Sequence, residues 1–360
     1  FKNTLEQVRS GQLPRSRLDD AVRRILRVKL RDRLFTEGPP ASRPLAGHFE
    51  LLGSAAHRAI ARRAVRESLV LLKNEHHLLP LRPKERVLVA GDGADDIPMQ
   101  CGGWTLTWQG TGTSNRDFPH GESIWRGIAD AVRAAGGEAE LSPEGRYRHK
   151  PDVAIVIYGE KPYAEFQGDV PNLAFSPGND TDLKLLERLR AEGIPVVSVF
   201  LSGRPLWVNP QLNASTAFVA AWLPGSEGEG VADVLFRKAD GAIGYDFTGQ
   251  LAFAWPRTPL QFGTATPGRP LFPLGYGLRD ASDGNLPPLP QASGLPSTAT
   301  VDHNVFFASG RAGSGWHWAA ANDVTPVDDL RQEDARALHF DGRGPPLAGL
   351  AGRSPIDLSR

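Results

Sequence analysis

Four short segments of the chain are apolar with almost no polar interruption: Val87–Ala90, Val153–Tyr158, Val196–Leu201 and Phe218–Trp222. A strand with one wet face alternates apolar and polar residues, so these strands must be covered on both faces. Segments with helical spacing lie between and before them. Ser54 can cap a helix that carries Ile60, Ala64, Val65 and Leu69 and runs into Val70-Leu71-Leu72. Helices also fit Ile124–Ala135, Asp182–Ala191 and Gly230–Phe236. The pattern predicts an α/β fold, a three-layer αβα sandwich with a mostly parallel sheet. Open sheets of this kind bind ligands at the carboxyl ends of their strands. That rule singles out the loops after Ala90, Tyr158, Leu201 and Trp222.

The two ends of the chain have a different character. Residues 1–38 read as an arginine-rich helical hairpin, with Ser16-Arg17-Leu18-Asp19 as a capping box and Gly38-Pro39-Pro40 as the stop. Such a hairpin is a poor domain by itself, and Phe1 is not an initiator Met, so a larger parent is expected. Residues 39–279 hold the α/β pattern. Residues 280–300, rich in Pro, Ser, Gly and Asp, read as a linker, and 301–360 as the beginning of a small β domain. Forty-one basic and 41 acidic residues give a net charge of zero, which argues against a nucleic-acid partner. No apolar run approaches the ~20 residues of a membrane span, and no secretory signal opens the chain. The single cysteine, Cys101, excludes an internal disulfide. The nine histidines lack metal-ligand spacing, with His76-His77 placed in a solvated turn, so neither metal nor cofactor is expected.

The loops after the strands carry the chemistry. Gly91-Asp92-Gly93 is a bare GxG followed by acids, a weak match to a dinucleotide fingerprint. Tyr158–Asp169, YGEKPYAEFQGD, places Glu160, Glu165 and Asp169 in one segment. Trp222–Gly230 is a glycine-rich turn leading into a helix. Cys101–Gly110, CGGWTLTWQG, spends two of the eight tryptophans in a loop. An extended chain or one helical turn would aim Trp104 and Trp108 in the same direction. Two such rings can fill a core, or they can present flat faces to a ligand.

CGGWTLTWQG, GEKPYAEFQGD, LSGRP (201–205), AAWLPGSEGEGVADVLF (220–236), DFTGQL (246–251) and PLGYGL (273–278), with SLVLLKN (68–74) before them, form an ordered set. It resembles the second domain of glycoside hydrolase family 3, in its exo-1,3/1,4-β-glucanase and β-glucosidase branch. The resemblance implies that residues 1–38 are the tail of the family's (β/α)8-type barrel, and that 301–360 begin an accessory β-sandwich. It implies a retaining, exo-acting hydrolase that removes glucose from β-linked oligosaccharides or polysaccharides, exported to the periplasm or secreted. The nucleophile, an aspartate, would lie on the barrel, outside this chain. By motif Glu165 matches the acid/base, with Glu160 and Asp169 as alternatives that spacing does not separate. Burial or a neighbouring carboxylate is expected to raise its pKa toward the working range. Trp108 matches a platform for the leaving-group sugar, and Trp104 its supporting neighbour. Two other readings stand beside this one: a non-catalytic carbohydrate-binding protein using the Trp104/Trp108 loop, and a flavodoxin-like nucleotide or phosphate binder at 91–95.

Overall fold

A computed structural model describes residues 1–176, 179–262 and 268–295, together with the backbone of six short strands between 307 and 352. The chain divides into two units, Phe1–His57 and Arg58–Arg360. In the first, α1 (Lys2–Arg9) and α2 (Arg15–Arg31) contain no buried residue. The expected capping box is not formed. Helix α2 starts at Arg15 with Pro14 as N-cap at φ −62° and no side-chain cap. Ser16 therefore lies inside the first turn, which opens with the Arg17 N–H on the Pro14 carbonyl at 3.0 Å.

The second unit is built on a six-stranded sheet in the order β1-β6-β5-β4-β2-β3. Its strands are β1 (Val70–Asn74), β2 (Arg86–Ala90), β3 (Glu138–Leu141), β4 (Val153–Gly159), β5 (Val196–Leu201) and β6 (Ala217–Trp222). Five strands run parallel, and β1 adds to β6 antiparallel. Successive side chains point to opposite faces, and both faces are dry. On one face Val87, Val89, Ile155, Ile157, Val197, Val199 and Val219 pack under α3 (Ala55–Ser68), α5 (Ile124–Ala134) and α8 (Glu229–Leu235). On the other, Leu88, Val156, Tyr158, Phe200 and Phe218 pack under α6 (Thr181–Ala191) and α7 (Asn209–Ala214), with Phe175, Trp255 and Phe272. This is the expected αβα sandwich. The predicted strands and helices fall within one or two residues of those observed. Ser54 does act on α3, its hydroxyl 3.5 Å from the His57 N–H.

Residues 280–290, read from composition as linker, run along this sandwich. Asn74 N–H donates to the Gly284 carbonyl, while Asn209 and Asn213 hold the Pro290 and Leu289 carbonyls. Leu286 and Leu289 add to the second core face. Further along, backbone pairs join β7 (Phe307–Ala308) with β8 (Arg311–Ala312), β9 (Trp316–Ala319) with β12 (Gly349–Gly352), and β10 (Asp323–Pro326) with β11 (Arg336–His339), all antiparallel. The remainder of 301–360 lies outside the described residues.

The strand order places a topological switch between β2 and β4. From β2 the chain moves outward to β3, then returns to the opposite side of β2 to form β4. Helix α5, after β2, covers one face, and α6, after β4, covers the other. The loops leaving β2 and β4 therefore start side by side at the carboxyl edge, where open sheets of this kind bind their ligands.

One buried acid makes the fold sensitive to pH. Asp280 is 7% exposed, and neither carboxylate oxygen has a hydrogen-bond partner. Asp246 lies against it, accepting the Asp280 N–H at 2.9 Å. Burial and then the Asp246 charge push its pKa up to about 6, with Arg237 pulling the other way. A folded-state value above the ordinary 3.8 favours the neutral form. Its contribution is complete below that ordinary value and is lost as pH rises through about 6. Asp280→Asn should therefore raise the melting temperature at pH 8 and leave it nearly unchanged at pH 4, as thermal denaturation at the two pH values will show.

Candidate active site

The first of the two loops begins with Gly91, whose φ of 88° turns the chain sharply at the end of β2. Asp96 caps the short helix α4 (Ile97–Cys101) by accepting the Met99 N–H at 2.8 Å. Gln100, fully buried, ties α4 to the loop after β6 through the Gly225 carbonyl and N–H. From Gly102 to Gly110 the chain is neither extended nor helical. Trp104 and Leu106 adopt left-handed φ of 61° and 62°, and the Trp104 N–H closes on the Trp108 carbonyl at 2.8 Å. The two indoles are brought together by this knot rather than by strand or helix periodicity. Their ring centres are 6.1 Å apart and tilted by 45°.

The second loop, 160–169, packs directly on the first. A Cβ on Gly103 would run into the Tyr163 carbonyl, and one on Gly110 into the Gly102 carbonyl. Glycine at these positions is what allows the close approach. Phe166 also has a left-handed φ of 66°, and its ring meets Trp108 edge-on at 6.1 Å. Eight described non-glycine residues have positive φ, and three of them (Trp104, Leu106 and Phe166) fall in these two loops. Such conformations cost on the order of 1–3 kcal/mol each and persist where surrounding structure enforces them, as at binding sites. Trp104 is 68% exposed and Phe166 50%, so the strained segments present aromatic surface to solvent.

The structure brings Glu165 together with both tryptophans. The Trp108 indole N–H donates to Glu165 Oε2 at 2.5 Å. That donor first, then the residue's own backbone N–H, hold the carboxyl below its usual range; the Trp104 indole adds to this, and desolvation opposes it. The expectation of a raised pKa is not met within this chain. Glu165 is exposed, and donors stabilise its charged form.

Glu160 has a different setting. Its side chain is 10% exposed and paired with Arg204, whose Nε and Nη2 both reach Oε1, at 3.0 and 2.8 Å. Tyr163 donates to Oε2 at 2.9 Å, and the Arg204 guanidinium lies 4.5 Å over the Tyr163 ring while bonding the Gly168 carbonyl. This cluster fixes the base of the loop and leaves Glu160 little freedom to meet a substrate. Asp169 is exposed, and its N–H closes a turn on the Phe166 carbonyl.

The GxG segment lies in acidic surroundings. Asp92 pairs with Lys161 at 2.7 Å, and burial followed by the Asp92 charge push Asp182 up to about 6. Phosphate would meet carboxylates here, which counts against the nucleotide reading. Among the described residues no group of three or more His, Cys, Asp or Glu could hold a metal, and no helix is long and apolar enough to cross a membrane. Arg204, Tyr163, Phe166 and Gln109 were not singled out from the sequence. Each stands within one of the ordered motifs, and that membership was the only signal available for them.

Residues 69–279 match the model of the glycosyl hydrolase family 3 C-terminal domain. The chain belongs to glycosyl hydrolase family 3. A lysosomal β-glucosidase of Dictyostelium discoideum is 32% identical over 76% of the chain and 35% of that protein. A periplasmic β-glucosidase of Salmonella typhimurium is 27% identical over 84% of the chain and 43% of that protein. The crystal structure of an exo-1,3/1,4-β-glucanase from a Pseudoalteromonas species superposes with a TM-score of 0.75 at 46% identity, covering 94% of this chain and 40% of that one. This family 3 chain thus spans less than half the length of these relatives.

The pairing of Trp108 with Glu165 has a direct spectroscopic consequence. Trp108→Phe keeps an aromatic ring and removes the donor, so the Glu165 carboxyl should titrate at higher pH. Carbon-13 NMR of the labelled carboxyl measures this, and an unchanged value would mean that the indole does not control it.

Proposed function

We propose that this family 3 chain supplies the acid/base half of a retaining, exo-acting β-glucoside hydrolase, with Glu165 as the acid/base. The observation that carries the reading is the pair of half-buried Trp108 and exposed Glu165, set at the topological switch point amid aromatic surface. Glu165 in its protonated form gives its proton to the glycosidic oxygen, and as a carboxylate it then takes one from the attacking water. The complementary nucleophile comes from a (β/α)8-type domain outside these residues, of which 1–38 are the tail. A retaining pair stands only ~5–5.5 Å apart. A second carboxylate at that range raises the pKa of Glu165 against the pull of the indoles, toward the value a general acid needs.

Trp108 and Trp104 form the floor for the leaving-group sugar. A pyranose has apolar C–H faces, and an indole covers one without demanding a hydrogen bond from its own face. The substrate class is β-linked glucose oligosaccharide or polysaccharide, in keeping with the names of the relatives. An exported location accords with the name of the Salmonella relative. The boundaries 39–279 for the sandwich and 301–360 for the start of an accessory β domain belong to the same proposal.

The test uses full-length protein, barrel included. Assistance by a general acid is worth ~10²–10⁴-fold and matters most for poor leaving groups. Glu165→Ala should lose cellobiose and laminaribiose hydrolysis, yet still form the glycosyl-enzyme rapidly from dinitrophenyl glucoside. Azide should then restore turnover, yielding β-glucosyl azide. Glu160→Ala strands Arg204, so it should lose stability and activity on both substrates alike, with no azide rescue. Rescue of Glu160→Ala instead would transfer the role to that residue.

A further inference from the structure

Glu165 is held by two consecutive residues of the other loop, and they hold different parts of it. Trp108 bonds its carboxylate, whereas Gln109 bonds its main chain. The Gln109 side chain is fully buried. Its Oε1 accepts the Ala164 N–H at 2.7 Å, and its Nε2 donates to the Glu165 carbonyl at 3.1 Å. One amide thus holds the backbone on either side of the Ala164–Glu165 peptide, supplying partners to main-chain groups that no strand pairs with.

We propose that Gln109 is a positioning residue for the reaction: it fixes the backbone from which the Glu165 carboxylate projects, and so sets where the proton is delivered. This rests on the proposed role of Glu165. The Glu165 side chain is exposed, and its neighbour Phe166 has a strained φ of 66°. The segment therefore lacks a regular ladder of its own to define its path. The indole bond fixes one carboxylate oxygen relative to Trp108, but it cannot define the direction of the side chain unless the backbone is also fixed. Gln109 supplies that second constraint from a buried, rigid site. The alternative is that Gln109 only satisfies buried backbone groups, in which case its loss would weaken the fold without regard to the leaving group.

The experiment compares Gln109→Met with wild type and Glu165→Ala in the full-length enzyme, on cellobiose and on dinitrophenyl glucoside. Methionine approximates the length of glutamine and makes neither hydrogen bond. Misplacing a reacting group by about 1 Å costs up to ~10²-fold. Gln109→Met should accordingly lower kcat on cellobiose ~10–100-fold with KM little changed, and slow formation of the glycosyl-enzyme from dinitrophenyl glucoside less than about threefold. Equal losses on both substrates, a loss carried by KM, or no loss would overturn the proposal. If Gln109→Met does not fold, Gln109→Glu decides by the same comparison, because it keeps the acceptor for Ala164 and loses the amide donor to Glu165. The Glu165→Ala arm reports separately on the catalytic reading. Absence of leaving-group dependence and azide rescue there removes the role of Glu165, and the Gln109 proposal with it. If Glu165→Ala behaves as expected while the Gln109 variants lose both substrates equally, positioning alone is refuted.

Discussion

Both faces of the parallel sheet must be kept from water at once, and the position of the candidate site follows from how the chain achieves this. Tyr158, Phe200 and Phe218 are fully buried on one face, and Ile155, Ile157 and Val199 on the other. A fully buried side chain of this kind contributes roughly 1.5–3 kcal/mol relative to exposure, so neither face can be left bare. Helix α5 goes to one side and α6 to the other, and they leave neighbouring strands. The loops that begin those two crossovers consequently leave adjacent strands at the carboxyl edge and pack on each other. What each loop contains is then a local matter of glycines and hydrogen bonds.

Within the 160–169 loop, environment distinguishes two glutamates that composition leaves equivalent. Glu160 follows β4 directly, where its N–H still bonds the Leu201 carbonyl at 2.9 Å. Its carboxylate is spent on Arg204 and Tyr163, and leaving that guanidinium unpaired in a partly buried place carries a large penalty. Glu165 lies later in the loop and is exposed, and its carboxylate contacts the two tryptophan donors of the facing loop. One carboxylate holds the loop together, while the other is displayed by it.

The sheet was legible because a strand buried on both faces leaves an unmistakable apolar run. Strands β1 and β3 were not. Val70–Asn74 follows a helical pattern through Leu69 without a break, so the residues alone do not mark where helix α3 gives way to strand. Glu138–Leu141 is a four-residue edge strand with two glutamates, and a covered face shows only weakly in so short an alternation. At the site, the glycines, tryptophans and carboxylates could be read as a loop set, but their mutual arrangement could not. The Gln109–Ala164 bond spans 55 positions of sequence, and the Glu160–Arg204 pair spans 44. Left-handed conformations at Trp104 and Phe166 go against the preference of bulky residues, so local propensity points away from them.

In the proposed reaction, a Trp108 indole that donates to Glu165 and also supports a sugar couples substrate binding to proton delivery. The N–H lies in the plane of the ring and the stacking surface lies perpendicular to it, so one side chain can serve both without competition. Under the proposed function, a sugar pressed on the face restricts rotation of the ring and thereby steadies the carboxylate at its edge. Phe166 meets the same indole edge-on at 6.1 Å. Removing the entire tryptophan therefore disturbs sugar affinity and the titration of Glu165 together. Phenylalanine in its place separates them, since it keeps a face for the sugar and lacks the edge donor.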